Sequence, residues 1–355
     1  NHVGYDGEFA ESSPFKVSYE GDLVGPRHED PGGHAAGIKA PGGTVIRFDT
    51  DGKSVELVAG GLRNAYDLTF HPNGQLYVHD SDMESDEGSA WYRPTSLYAI
   101  QEGGEYGWRS GWAKWPSYYF DRAPTLLETG RGSPTGACTY DHFMFPRRYH
   151  GNLFLADWTQ GQILSVKLSA DGTAQPEVFV QGQPLNVTDL AVGPDGWLYF
   201  CTGGRGTKGG IYQVRWLGTV PNELKDLGDG VARAIRQPQL DSAWTRQAIA
   251  ALKRELGTAW GDAIAGVAFS DDNSAEYRLR AMEVMQLFGP MPTVELLTSL
   301  GQSKNEAVRA RAAQLMGISK ESDRLHEPLL KMLSDTDRDV QRAACESLLR
   351  CASLP

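Results

Sequence analysis

Two fold classes are predicted in this one chain, an all-β propeller over residues 1–217 and an all-α solenoid of stacked helical hairpins over residues 218–355. Three observations predict them. A strand-and-turn unit of about 40 residues occurs twice in the first part. An Arg-Ala pair recurs at a spacing of 31 residues in the second. After Trp216 the composition shifts from Gly, Pro and aromatic residues to Ala, Leu, Arg and Glu at helical spacing.

In the first part, short runs of β-branched and aromatic residues read as strands: Thr44–Phe48, Gln75–His79, Ser96–Ile100, Gln162–Leu168 and Trp197–Cys201. The pairs Asp51-Gly52, Asn73-Gly74, Asp171-Gly172 and Asp195-Gly196 punctuate them as hairpin turns. The two copies of the unit start at Gly42 and Gly161, and each reads strand, DG turn, strand, Gly, Asp-Leu, strand, turn, strand. Asp67-Leu68 aligns with Asp189-Leu190, and Pro72-Asn73-Gly74 with Pro194-Asp195-Gly196. A repeat that is all strand and turn is the signature of propeller blades, whereas a β-sandwich, the alternative, seldom repeats its sequence. Outer strands ending near Phe48, Ile100, Leu168 and Val214 give about four blades. An open ring would expose sheet edges, so further blades are expected before Asn1 or from another chain.

In the second part the Arg-Ala pairs at Arg280-Ala281, Arg311-Ala312 and Arg342-Ala343 sit in the frames EYRLRAMEVM, AVRARAAQLM and DVQRAACESL, with a weaker copy, AWTRQAIAAL, around Arg246. Small Ala at the seam lets paired helices stack closely, which predicts a solenoid of HEAT type. Its surface reads either as a protein docking site or as a structural brace.

A net charge of −11 argues against a nucleic-acid partner, since phosphate binding relies on concentrated Lys and Arg. No segment approaches the roughly 18 apolar residues of a membrane span. The cysteines Cys138, Cys201, Cys345 and Cys351 form neither CxxC nor CxxCH, and Cys345 and Cys351 fall on opposite faces of a helix, so no disulfide between them is expected. Asn1-His2 carries no start Met or signal peptide, and both ends read as cut.

The stretch HDSDMESDEG, His79 to Gly88, sets acidic residues at alternating positions: Asp80, Asp82, Glu84 and Asp86. Leaving a strand, it offers the oxygen array that a hard cation such as Ca²⁺ prefers, without EF-hand spacing; the alternative is a solvated turn. Upstream, Arg63-Asn64 enters a strand, and Arg63 reads as a bidentate clamp for an anion or as a structural ion pair. Downstream, EGGEYGWRSGWAKWPSYYF places Trp108, Trp112 and Trp115 close together. Trp108 reads as core, and Trp112 and Trp115 as a sugar platform or further core. His28 and His34 lie in a Gly/Pro loop, and no GxSxG, HExxH, dinucleotide or phosphate-loop motif is present. Gly203–Thr207 lacks a strand-to-helix setting and reads as a turn.

GLRNAYDLTFHPNGQLYVHDSDMESDEGSAWYRPTSLYAIQEGGEYGWRSG resembles the PVC-type membrane-bound dehydrogenase proteins, related to the glucose/sorbosone dehydrogenase propellers. HAAGIKAPGG, GSPTGACTYDHFMFPRRYHGNLFLADW and GPDGWLYFCTGGRGTKGGIYQV carry the same resemblance, which covers roughly residues 30 to 217 and extends to the helical stretch. It implies a six-bladed propeller, a periplasmic or exported location with membrane association through segments outside this chain, and oxidation of a sugar or polyol. Pyrroloquinoline quinone (PQQ) beside Ca²⁺ would be the cofactor, and a c-type cytochrome the electron acceptor. Arg63 and Asn64 match the pair that contacts the quinone, and Asp80 to Asp82 the calcium-binding turn, which in those enzymes uses backbone carbonyls. Asn186 and Thr188 stand where two quinone-holding arginines are expected, and Thr159 where a lysine is. The catalytic histidine belongs to a blade that would precede Asn1.

The expected function is therefore a sugar or polyol oxidoreductase. Arg63 and Asn64 would hold the cofactor, and Asp80, Ser81, Asp82, Glu84 and Asp86 the cation. Asp67 or Asp157, or a histidine of the further blades, would act as base, with Trp112 and Trp115 on the substrate. The alternative is a non-catalytic propeller that binds carbohydrate or a partner, with a Ca²⁺-ordered loop and a HEAT docking surface. A Ca²⁺-dependent lactonase-like hydrolase is a third reading, by fold analogy.

Overall fold

In a computed structural model of the chain, residues 8–15, 43–82, 92–109, 115–169 and 172–351 are described. Strands end at Val214 and helices begin at Asn222. The strands form four antiparallel sheets, each an up-and-down meander in chain order. The first holds β1 (Val45–Phe48) and β2 (Val55–Ala59). The second holds β3 (Leu68–Phe70), β4 (Leu76–Asp80), β5 (Thr95–Ile100) and β6 (Leu127–Gly130). β7 (Pro134–Thr139), β8 (Leu153–Asp157), β9 (Gln162–Leu168) and β10 (Ala174–Gln181) make the third; β11 (Val187–Val192), β12 (Leu198–Thr202) and β13 (Gly210–Val214) make the fourth. The sequence repeat thus straddles sheets: β1–β2 and β9–β10 are closing hairpins, and β3–β4 and β11–β12 open the sheets that follow. Its turn glycines have positive φ, 71° at Gly52, 90° at Gly74, 80° at Gly172 and 77° at Gly196, which a side chain would disfavour.

The sheets stack face to face because alternate residues of each strand serve opposite neighbours. β8 is buried along its whole length. Leu153 and Leu155 pack with Tyr77 and Leu97 of the second sheet, while Phe154 and Ala156 pack with Leu190, Leu198 and Phe200 of the fourth. A further apolar cluster joins Val45, Val58 and Leu62 to Val78, Tyr98 and Tyr106. The first strands of successive sheets adjoin. Thr69 Oγ1 lies 3.0 Å from Thr139 Oγ1, and Thr135 Oγ1 donates to the Val187 carbonyl at 2.8 Å. This is the arrangement of propeller blades.

The helical part, α1 (Asn222–Lys225) and α2 (Gly230–Ile235) followed by longer helices, builds one apolar core. α3 (Ala243–Leu256), α5 (Ala275–Phe288), α6 (Val294–Leu300), α7 (Glu306–Gly317) and α9 (Arg338–Arg350) start on Ser242, Ser274, Thr293, Asn305 and Asp337. Each of these side chains accepts the amide three residues on. α5, α7 and α9 lie in succession, and α4 (Trp260–Phe269), α6 and α8 (Ser322–Met332) form a second row. The predicted small seam is present: Ala281, Ala312, Ala313, Ala343 and Ala344 are buried. No helix among the described residues is long and apolar enough to cross a membrane. Cys345 is exposed and Cys351 buried, both as free thiols.

The recurring arginines face the chain's own sheets. Arg280 pairs with Asp141, in the β7–β8 loop, and donates to the Gln237 carbonyl at 3.0 Å. Arg311 lies against the turn at Gly74, and the charge of Arg342 is felt by the Tyr77 phenol. Gln239 donates to the Thr139 carbonyl at 2.6 Å and accepts from the Asp141 amide at 2.9 Å. Arg350 pairs with Glu102, which also holds Arg47 at 3.1 Å. Of the two readings of the repeats, this face is a brace.

α7 and α9 approach closely at Gly317, where a Cβ would stand 2.6 Å from Ser347 Cβ and 2.8 Å from its Cα. Gly317→Ala is expected to destabilise the protein by about 1–3 kcal/mol through overpacking, read as a lower denaturation midpoint. An unchanged midpoint would show that α7 and α9 do not approach this closely.

Candidate functional site

In an antiparallel meander, the loop entering the first strand and the loop leaving the second lie at the same end. Three successive sheets bring these loops together around a cavity of about 320 Å³. The second sheet contributes Arg63, Asn64 and Tyr66 before β3 and Ser81 after β4. The third contributes Gly132 to Thr135 at the entry to β7 and Trp158 after β8; the fourth contributes Gly204 and Arg205 after β12.

Asp80 organises the first of these loops. It is 3% exposed, and its carboxylate accepts the amides of Arg63 at 2.7 Å, Asn64 at 2.7 Å and Ser81 at 2.9 Å. Burial pushes its pKa up, while the amides and the Arg93 charge pull it back. The Arg63 guanidinium donates to Ser81 Oγ at 2.8 Å, so Arg63, Asn64 and Ser81 are brought together as one edge of the cavity. Asp82 is buried and accepts the Tyr92 hydroxyl at 2.8 Å. Of the four carboxylates expected to bind a cation, the two among the described residues are therefore held by the scaffold. Among the described residues no cluster of three His, Cys, Asp or Glu side chains has metal-binding geometry. Glu84 and Asp86 lie outside the described residues, as does Trp112.

The two carboxylates expected as bases also take structural roles. Asp157, 1% exposed, ends β8 and accepts the amides of Ser133 at 3.0 Å, Thr159 at 3.0 Å and Gln160 at 2.9 Å. Asp67 accepts the amide of Leu68 at 2.8 Å and, across the sheets, that of Ala137 at 2.9 Å. Neither lines the cavity. Trp115, expected on the substrate, is 1% exposed beneath its loop, with the Arg109 guanidinium 4.0 Å from its ring centroid and Tyr119 4.5 Å away. It is core, as Trp108 is.

The residues at the expected cationic positions bond locally. Asn186 donates to the Trp158 carbonyl at 3.0 Å, Thr188 to the Cys201 carbonyl at 3.3 Å and Thr159 to Ser133 Oγ at 2.7 Å. Sequence reasoning missed Trp158 and Arg205. Trp158 donates through Nε1 to the Gly203 carbonyl at 2.6 Å, and the Arg205 guanidinium lies 5.7 Å from its ring centroid. The available signal was an arginine set among glycines in the segment read as a turn. A separate cavity of about 450 Å³ lies where sheets and helices meet, lined in part by His71, His142, Asp141 and Arg280.

Comparison with known proteins adds the following. Residues 266–350 match the family model of HEAT repeats. No curated protein matches the chain. Among solved structures, the PQQ-bound form of an aldose sugar dehydrogenase from Streptomyces coelicolor is 18% identical, with 53% of this chain and 56% of that one covered at a TM-score of 0.40. A soluble aldose sugar dehydrogenase from Escherichia coli, in the apo form, is 16% identical, with 45% and 51% covered at a TM-score of 0.39. The chain spans about half the length of each.

Asp80→Ala is expected to strand three amides and cost roughly 2–5 kcal/mol, equally with and without Ca²⁺. A loss seen only with Ca²⁺ present would make Asp80 a metal ligand instead. His79, beside it in β4, has Nε2 2.8 Å from Thr129 Oγ1, and its Nδ1 is buried with no hydrogen-bond partner among the described residues. Burial pushes its pKa down from 6.5 to about 4. The unfolded chain therefore takes up the proton first, and stability that is complete above pH 6.5 is lost as pH falls toward 4. The contribution is roughly 3 kcal/mol, with His142, also held near 4 by burial, adding to it. Denaturation midpoints between pH 7.5 and 4.5 should fall, and fall less in His79→Gln; an identical slope in that variant would contradict a buried neutral ring.

Proposed function

We propose that the chain is part of a sugar oxidoreductase-like propeller of six-bladed type, and that the cavity shared by its three sheets binds the carbohydrate or polyol. The observation that carries this is the lining: indole and phenol faces at Trp158 and Tyr66, hydroxyls at Ser81, Ser133 and Thr135, the Asn64 amide and the Arg63 guanidinium. A sugar presents a CH-rich face and a rim of hydroxyls, which such a mixture of aromatic and polar groups complements.

A PQQ-type cofactor fits in part. Arg63 and Arg205 line the cavity as cations, while Asn186, Thr188 and Thr159 do not line it and bond to the Trp158 carbonyl, the Cys201 carbonyl and Ser133 Oγ. When bound, such a quinone supplies the two-electron acceptor for oxidation of a hydroxyl to a carbonyl. The role of this chain is to seat the substrate ring and hold it by Asn64 and the hydroxyls. Asp80 already accepts three backbone amides and Asp82 the Tyr92 hydroxyl, Glu84 and Asp86 lie outside the described residues, and no step is assigned to the ion. Among the described residues the lining includes no Asp, Glu or His. The base is therefore assigned to the further blades, with a c-type cytochrome as electron acceptor and a periplasmic or exported location as the resemblance implies. The same lack of a base favours, as second reading, a propeller that binds carbohydrate without oxidising it.

The test is a pair of titrations followed by tryptophan fluorescence, one with glucose, galactose and sorbitol, the other with PQQ with and without Ca²⁺. Saturable responses to a sugar and to PQQ, both altered in Trp158→Phe, would support the oxidoreductase reading. A response to sugar alone would favour the binding module, and none to either would overturn both.

A further inference from the structure

We propose that the preferred ligand of this cavity is an acidic carbohydrate, a pyranose bearing one carboxylate or sulfate, with Arg205 gripping the anion. This rests on the carbohydrate reading above and deepens it.

The charge of the lining carries the inference. The chain has a net charge of −11, yet among the described residues the cavity is lined by two arginines and no acidic residue. The carboxylates of Asp80 and Asp157, behind its loops, are buried and bound to backbone amides. A cleft of one sign in a protein of the other focuses its field on a ligand of opposite charge.

Arg205 is built for this position. It is exposed, no carboxylate of the described residues pairs with it, and its φ is 49°, a left-handed conformation uncommon for a residue with a Cβ. Gly203, Gly204 and Gly206 around it also have positive φ. A loop that needs only flexibility would place glycine at this position as well; keeping an arginine under backbone strain points to the guanidinium as the functional element. The same loop fixes the ring beneath it, since the Gly203 carbonyl accepts the Trp158 indole N–H and Asn186 holds the Trp158 carbonyl. A pyranose ring laid on Trp158 would carry its anionic group toward Arg205 and Arg63, the planar forks suited to bidentate recognition of carboxylate or sulfate.

The experiment compares glucuronate and glucose 6-sulfate with glucose, in the full chain, by calorimetry or tryptophan fluorescence at two salt concentrations. The acidic sugars are expected to bind at least ten-fold tighter than glucose, and the difference to shrink at high salt. Arg205→Gln should weaken the acidic sugars about ten-fold, the loss expected for one charge-assisted hydrogen bond, and weaken glucose by much less. Arg205→Lys should restore only part. Equal affinity for acidic and neutral sugars overturns this proposal while the carbohydrate reading stands; no response to any sugar overturns both. Inorganic sulfate binding as tightly as glucose 6-sulfate would make the site a plain anion site. PQQ binding that depends on Arg205, with all sugars indifferent to it, would assign the guanidinium to the cofactor, and either result rejects the proposal.

Discussion

The cavity depends on a buried carboxylate at the end of a second strand. Asp80 closes β4 and Asp157 closes β8, in the parallel sequences LYVHD and LFLAD. Each binds the backbone of the loop that enters its own sheet, Arg63 and Asn64 in one case and Ser133 in the other. A carboxylate that accepts several amides fixes a loop more firmly than any exposed side-chain contact, because breaking it leaves buried donors unpaired. The fourth sheet ends β12 in Thr202 instead, and there the Gly203 amide donates to the Asn186 carbonyl. The second and third sheets thus hold their loops by the same device, and the fourth does so through backbone, with glycines free to take unusual angles.

This recurrence explains what the sequence revealed and what it concealed. The strands, the DG and NG turns and the alanine seam follow from local rules and were legible as such. Gln75 to His79 and Trp197 to Cys201 each overlap an observed strand. The repeated Asp-Leu was legible as a repeat but not as a role: Asp67 caps its own next amide and reaches Ala137, and Asp189 caps Leu190 against Gly136 of the preceding sheet. Carboxylates spaced along a loop look alike in sequence whether they face a cation or the amides behind them, and only the direction of each side chain separates the two. Arg63, Asn64 and Ser81 were found because they lie close together in the chain and in a familiar pattern. Trp158 and Arg205 were not, because the cavity joins loops of three sheets that lie far apart in sequence, and theirs carry no motif alone. Trp115 shows the converse, an aromatic in a polar loop that the fold turns inward onto Arg109.

The helical repeats show how a period becomes an interface. Residues 31 apart on equivalent helices point the same way, so Arg280, Arg311 and Arg342 form a row. The sheets meet that row with Asp141, the turn at Gly74 and the neighbourhood of Tyr77. Charge and hydrogen bonding, rather than an apolar seam, join the two parts, and Gln239 takes the position of an extra strand residue beside β7 by satisfying both Thr139 and Asp141.

That junction has a consequence for how the protein can be divided. The change of texture after Trp216 marks where strands give way to helices, but the contacts of Gln239, Arg280 and Arg350 cross it. Severing the chain there would strip Arg280 of Asp141, one of its two counter-charges, and leave Thr139 and Asp141 with open backbone groups. The linker is a boundary of secondary structure only; as a piece of machinery, the far end of the sheets and the row of helices are a single part.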